Sequence, residues 1–197
     1  MSSLDERFIT SLSSRKKGVV VRITGLSGAG KTSIAQALFE YWKTQSPNVV
    51  LIDGDRFREC IGDELGHSKE ERLINAFRIA RFAKFLSDQG IHVICATISL
   101  FRECEEWYWE NLSDYYEVFL DVSLNVLRLR DPHGLYARAE KGLEKNVVGI
   151  DLPFDRPLRP HLALGNDENI FPIQDFLVQI IEGISNRVAC DIEVSQS

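Results

Sequence analysis

The run Gly25-Leu26-Ser27-Gly28-Ala29-Gly30-Lys31-Thr32 packs three glycines, a lysine and two hydroxyls into eight residues. Glycines let consecutive backbone N–H groups turn inward around phosphate oxygens, a lysine adds a point charge, and a threonine hydroxyl can ligate magnesium. Val19-Val20-Val21-Arg22-Ile23-Thr24 before it reads as a buried strand, and Ser33 to about Trp42 after it as a helix. The helix start brings its positive end to the same phosphates. Gly25, Ser27, Gly28, Ala29, Gly30, Lys31, Thr32 and Ser33 therefore form a complete phosphate-binding loop in its proper setting, and a chance turn before a helix explains them less well. Binding of a nucleoside triphosphate, with Mg2+ on the Thr32 hydroxyl, is expected from this motif.

Phosphoryl transfer to a hydroxyl also needs a carboxylate near the attacking oxygen and cations over the moving charge. Asp53-Gly54-Asp55 offers two carboxylates after a second apolar run, with Arg58 just beyond. An Asp-Gly turn is the plain alternative. Beside a phosphate loop, we read Asp53 and Asp55 as catalytic, with Gly54 making the tight turn that points both toward it. Arg72 and Asn75 are three residues apart and share one helical face, where they hold a phosphate or ribose or simply face solvent. The pattern leaves that open. Leu73, Ile74, Phe77 and Ala80 are expected on the buried side. Thr97-Ile98-Ser99 ends a third apolar run and is the third strand end where a ligand would bind. Trp107-Tyr108-Trp109 is read as core packing rather than a stacking platform. His67, His92, His133 and His161 show no metal-ligand spacing, and Cys60, Cys95, Cys104 and Cys190 show no paired motif.

The elements that must position these groups alternate. Strands are expected at Val49–Asp53, Ile91–Thr97, Tyr116–Val122 and His161–Leu164 after the first. Ser68 and Glu71 form a capping box at the start of a long helix that ends before Gly90. Arg102–Leu112, Ser123 to about Arg130, and an amphipathic Ile173–Ser185 complete the helices. This is an α/β pattern: a parallel five-stranded sheet with helices on both faces. Between Asp131 and Pro160 the pattern fails amid glycines, prolines and charges, which suits a lid over the site. Residues 1–17 read as a flexible N-terminal extension, 18–187 as the domain with its lid at about 131–160, and 188–197 as a frayed tail.

A net charge of −6 and a pI near 5.3 argue against nucleic acid as a partner. No apolar stretch reaches the ~20 residues that span a bilayer, and Met1–Ser14 lacks a signal-peptide core, so a cytoplasmic setting away from membranes is expected.

From about Val20 to Ile181 the chain resembles the adenylyl-sulfate kinase (APS kinase) family of P-loop kinases. The resemblance is carried by Gly25–Thr32, Asp53-Gly54-Asp55 with Arg58, Leu65-Gly66, Arg72 with Asn75 and Arg78, Ile98-Ser99, Arg130-Asp131-Pro132 with Gly134-Leu135-Tyr136, and Gly149-Ile150-Asp151 with Pro153. It implies the P-loop kinase fold and transfer of the γ-phosphate of ATP to the 3′-hydroxyl of a nucleotide bearing a 5′ mixed anhydride, adenylyl sulfate by default. By the same resemblance Asp55 is base and magnesium-side carboxylate beside Thr32, and Lys31 steadies the transferring phosphate. Arg130 lies near the ATP base. Arg58, Arg72, Asn75, Ile98 and Ser99 grip the acceptor, with His67, His133, Val147, Gly149 and Ile150 around it. A homodimer is the family expectation.

The departures cluster on the acceptor side. His67 and Val147 stand where the family has the two phenylalanines that sandwich adenine, Val148 replaces a threonine, and His133 a lysine. Arg56, Phe77 and Leu100 replace the family's asparagine, arginine and proline. Stacking on a base is worth about 1–3 kcal/mol, so losing two rings points to a changed acceptor. Cytidine diphosphoramidate kinases of bacterial capsule-modification pathways resemble APS kinases and offer that alternative. A non-catalytic nucleotide sensor is a third reading, against which the retained Lys31, Thr32, Asp53 and Asp55 speak. A kinase for another small hydroxyl compound is a fourth, against which the lid sequence speaks.

Overall fold

A computed structural model describes residues 5–7, 9, 17–62, 65–98, 101–167 and 173–194. Ser99 and Leu100, most of the N-terminal extension and residues 195–197 of the expected tail lie outside them.

Five strands form one parallel sheet: β1 (Val20–Thr24), β2 (Val49–Asp53), β3 (His92–Thr97), β4 (Tyr115–Asp121) and β5 (Leu162–Gly165), in the order β2-β3-β1-β4-β5. The β-branched run of β1 is buried along its whole length, as expected of a central parallel strand covered on both faces. On one face lie α1 (Lys31–Gln45) and α7 (Ile173–Val194), packed around Ile34, Leu38, Trp42 and Ile180. On the other lie α3 (Lys69–Ser87) and α4 (Arg102–Asn111), around Ile79, Ala83, Cys95 and Tyr108. Tyr108 is core, with Trp107 and Trp109 packed against it. Arg22 of β1 sits in register with Glu117 of β4, and the two form a fully buried ion pair at 2.8 Å.

The Ser68–Glu71 capping box starts α3, and Gly90 follows its end with a left-handed φ of 79°. Several expectations shift. Gly54 does not make a turn; it opens a helix, α2 (Gly54–Ile61), because the Asp53 carboxylate accepts from the Asp55 and Arg56 amides and caps it. Ile74, expected on the buried side of α3, is 47% exposed; the buried face runs through Ala76, Ile79, Ala80 and Ala83. Two further α-helices lie between β4 and β5, α5 (Leu124–Arg130) and α6 (Leu135–Glu140), the latter inside the segment expected to be irregular. The closing helix runs nine residues past Ser185, to Val194, since Asn186 to Val194 contains neither glycine nor proline to stop it. No helix among the described residues is long and apolar enough to cross a membrane.

Candidate active site

The site lies beyond the carboxyl ends of β1, β2 and β3. The loop after β1 holds Gly28 and Gly30 at φ 77° and 99°, a backbone that residues with a Cβ rarely adopt. With Ser27, Lys31, Thr32 and Ser33 they line a cavity of about 500 Å³, closed on the far side by Asp53, Asp55 and Thr97. Gly25 and Ala29 support the loop from behind: a Cβ on Gly25 would lie 2.9 Å from the Leu120 carbonyl oxygen, and Ala29 is buried. Lys31 is buried, and its ammonium donates to the Leu26 carbonyl at 2.7 Å. Burial lowers its pKa from 10.5 to about 8, against the pull of Asp55 and Asp53. The site is built to receive negative charge there.

Asp53 has two duties. One carboxylate oxygen caps α2, and the other accepts from the Thr32 hydroxyl at 3.0 Å. Thr32, Asp53 and Asp55 thus present only oxygen to the cavity, the donor set of a hard divalent cation. Among the described residues no cluster of three or more His, Cys, Asp or Glu could hold a metal, so protein carboxylates alone do not make a closed metal cage here.

Two smaller cavities adjoin this one. The first, about 40 Å³, is lined by Asp55, Arg58, Arg72, Asn75, Thr97 and Ile98, with Phe101 and Val148. The second, about 190 Å³, is lined by Asp55, His67, Arg72, Ile98, Glu144, Lys145, Val147 and Val148. The structure therefore answers the question left open for Arg72 and Asn75: both line the site, and Asn75 is buried. Arg58 donates to the Leu65 and Gly66 carbonyls, and Arg72 to those of His67 and Asn146. Neither guanidinium forms an ion pair among the described residues. Burial and the nearby Arg58 push the Arg72 pKa down, so an anion between them would relieve mutual repulsion. Burial, then Arg72 and Arg58, push the His67 pKa down and keep that ring neutral.

The segment 131–160 is tied to both sides of the site. Asp131 caps α6 by accepting from the Tyr136 and Ala137 amides, and the Tyr136 hydroxyl donates to the Ser27 carbonyl of the phosphate loop at 2.8 Å. Asp151 accepts from the Asn146 amide, and the Asn146 carbonyl receives Arg72. Gly149, at φ 92°, leaves room for Leu124 and Leu26, whose methyls a Cβ would meet at 3.1 and 3.3 Å.

Not every sequence candidate stands where it was expected. His133 lines the phosphate cavity rather than the two smaller ones. Val147 is only 4% exposed and packs in the core while still lining the 190 Å³ cavity, and Ile150 packs against that core. Gly149 and Ile150 line none of the three cavities. Arg130 lies outside them as well, donating to the Asn166 carbonyl at 2.6 Å, while the Asn166 amide donates to Ala29. Thr97 lines the site at the strand end where a ligand was expected, whereas Phe101 is a lining residue that nothing local in the sequence signalled.

Comparison with known proteins places this geometry. A family profile described as adenylylsulphate kinase matches residues 17–165. The chain belongs to the adenylylsulphate kinase family. It is an ATP-dependent phosphotransferase that acts on a hydroxyl group. A cytidine diphosphoramidate kinase of Campylobacter jejuni is 41% identical over 138 residues, 70% of this chain and 81% of that one. An adenylyl-sulfate kinase of Gloeothece citriformis is 38% identical over 153 residues, 78% of this chain and 87% of that one. Among solved structures, the APS kinase of Mycobacterium tuberculosis in complex with AMPPNP and APS superposes with a TM-score of 0.76 at 34% identity, covering 85% of this chain and 98% of that chain.

Proposed function

We propose that the enzyme transfers the γ-phosphate of ATP to the 3′-hydroxyl of a nucleotide whose 5′-phosphate carries a mixed anhydride. One observation supports this above the others: Asp55 lines all three cavities, so a phosphate donor and an anionic acceptor would meet at one carboxylate. The Asp55 carboxylate takes the proton of the attacking hydroxyl. A new O–P bond forms to the γ-phosphorus, the bond to the β,γ-bridging oxygen breaks, and ADP leaves. Lys31 and the loop amides hold the phosphates, and Arg130 stands on the ATP-base side. Thr32 and Asp55 would hold Mg2+, with Asp53 orienting the Thr32 hydroxyl; the ion supplies electrostatic relief of the phosphate charge when bound. Arg58, Arg72, Asn75 and Ile98 grip the acceptor, with His67, His133 and the lid residues Val147, Gly149 and Ile150 around it. Ser99 is carried over on sequence grounds alone.

Family membership makes adenylyl sulfate the first acceptor to consider. A second reading, cytidine diphosphoramidate, is favoured by a particular observation. Among the described residues the 190 Å³ cavity has no aromatic lining residue but His67, and Val147 offers it only an aliphatic side chain. A smaller pyrimidine needs less stacking surface than adenine. ATP as donor favours a cytoplasmic setting, and the homodimer expected of the family is checked by light scattering on the purified protein.

Asp55→Ala tests the central role. Turnover is expected to be abolished while ATP affinity, read by calorimetry, stays within about twofold, since the loop amides and Lys31 carry binding. Turnover at the wild-type rate would remove Asp55 from the chemistry.

A further inference from the structure

The 40 Å³ cavity has room for about three water-sized groups, far less than a nucleobase. Its polar lining is peculiar. Thr97 Oγ1, Asn75 Oδ1 and Arg58 Nε are all shut away from solvent, and none has a hydrogen-bond partner among the described residues. Thr97 is 4% exposed and Asn75 6%. Buried polar groups are nearly always satisfied, and a cluster that is not calls for an explanation, a bound ion or water being one. Two guanidiniums without carboxylate partners frame the same space, which suits a small anion.

Thr97 ends β3, beside Asp53 and Asp55, and lines both this cavity and the phosphate cavity. Its position is fixed by the sheet rather than by a side-chain torsion of a mobile loop: Thr97 pairs in register with Thr24 of β1. Its methyl rests near Gly54, where an added Cβ would lie 3.6 Å from it. A valine would fill the same volume, so packing alone does not call for a hydroxyl here.

We infer that Thr97 is a further acceptor-binding residue: its hydroxyl hydrogen-bonds the anionic 5′ end of the acceptor, seated in the small cavity with Arg58, Arg72 and Asn75. The assignment rests on the proposed function, which supplies an acceptor with a small charged end. A hydroxyl both donates and accepts, so it serves a terminal oxyanion or a terminal amide. Which of the two the enzyme prefers is then set by the neighbours that Thr97 completes.

Thr97→Val removes the hydroxyl at constant shape, and Thr97→Ser keeps it. With adenylyl sulfate and cytidine diphosphoramidate as probes, Thr97→Val is expected to raise the KM of the accepted nucleotide roughly threefold to tenfold, the worth of one hydrogen bond. The KM for ATP stays within twofold, the Tm holds or rises because a buried unpaired hydroxyl is gone, and Thr97→Ser restores most of the affinity. An unchanged acceptor KM would overturn the inference. So would a joint rise in both KM values with a falling Tm, which marks a structural role. If the wild type turns over neither nucleotide, the proposed function fails. Thr97 is then decided by titrating inorganic sulfate and phosphoramidate into the ADP-filled protein. Weaker binding to Thr97→Val supports the cavity as an anion site, and equal binding refutes it.

Discussion

Asp53 carries a structural and a chemical duty on two oxygens of one carboxylate, and substitution can separate them. One oxygen caps α2 through the Asp55 and Arg56 amides at 3.1 and 3.4 Å, and the other receives the Thr32 hydroxyl at 3.0 Å. Asparagine caps helices about as well as aspartate, whereas alanine forfeits about 0.5–2 kcal/mol. For a domain of this size, 1 kcal/mol moves Tm by about 2–4 °C. Asp53→Ala should therefore lower Tm by roughly 1–8 °C. Asp53→Asn should leave it within about 1 °C of the wild type. Activity should sort the other way. Both variants lose the negative charge beside Thr32, and both should lose at least about tenfold in kcat, the rate equivalent of about 1.4 kcal/mol. Scanning fluorimetry and a coupled assay for ADP release read the two axes. Full activity in Asp53→Asn would show that the charge is not needed. A Tm loss in Asp53→Asn equal to that in Asp53→Ala would show that the cap is not what holds α2.

Other outcomes follow from the buried charges. The Lys31 pKa lies near 8 instead of 10.5, so the fold carries the penalty of a charged Lys31 below about 8 and sheds it as pH rises to 10.5. Relative to Lys31→Met, apo stability should rise across that window while ATP affinity falls, by up to about tenfold per unit above pH 8; affinity that holds up to pH 10 would contradict the assignment. Glu117→Ala leaves Arg22 buried without its partner, which should cost about 3–5 kcal/mol, whereas the double variant Arg22→Met, Glu117→Leu should recover most of it. A double variant as unstable as the single one, by urea unfolding, would refute that reading.

The parts of the fold that repeat a local rule were legible. Val20–Thr24 announces a buried parallel strand, Ser68 with Glu71 announces a helix start, and the glycines before Lys31 announce a phosphate loop. What escaped depended on a distant partner or on shortness. Gly54–Ile61 begins with glycine and is rich in charge, so it reads as a turn; the Asp53 cap is what makes it helical. Leu135–Glu140 has only six residues, too few for a periodic pattern, and needs the Asp131 carboxylate at its start. The paired Arg72 and Asn75 are ambiguous on one helix and become a site only when Asp55 of α2 and Thr97 of β3 arrive beside them. Val147, matched by sequence to a substrate-facing position, packs in the core and also lines the 190 Å³ cavity.

The central claim is that this site phosphorylates the 3′-hydroxyl of a nucleotide with a 5′ mixed anhydride. The direct test is a panel of adenylyl sulfate and cytidine diphosphoramidate, each with ATP and Mg2+, with the product located by tandem mass spectrometry. The account predicts one added phosphate on the 3′-oxygen, loss of that product in Asp55→Ala, and a clear preference for one of the two acceptors. A preference for adenylyl sulfate would mean that His67 and Val147 suffice for an adenine; the cytidine compound would mean that the base pocket has changed. Phosphate on another atom, or on neither compound while ATP still binds, would contradict the account.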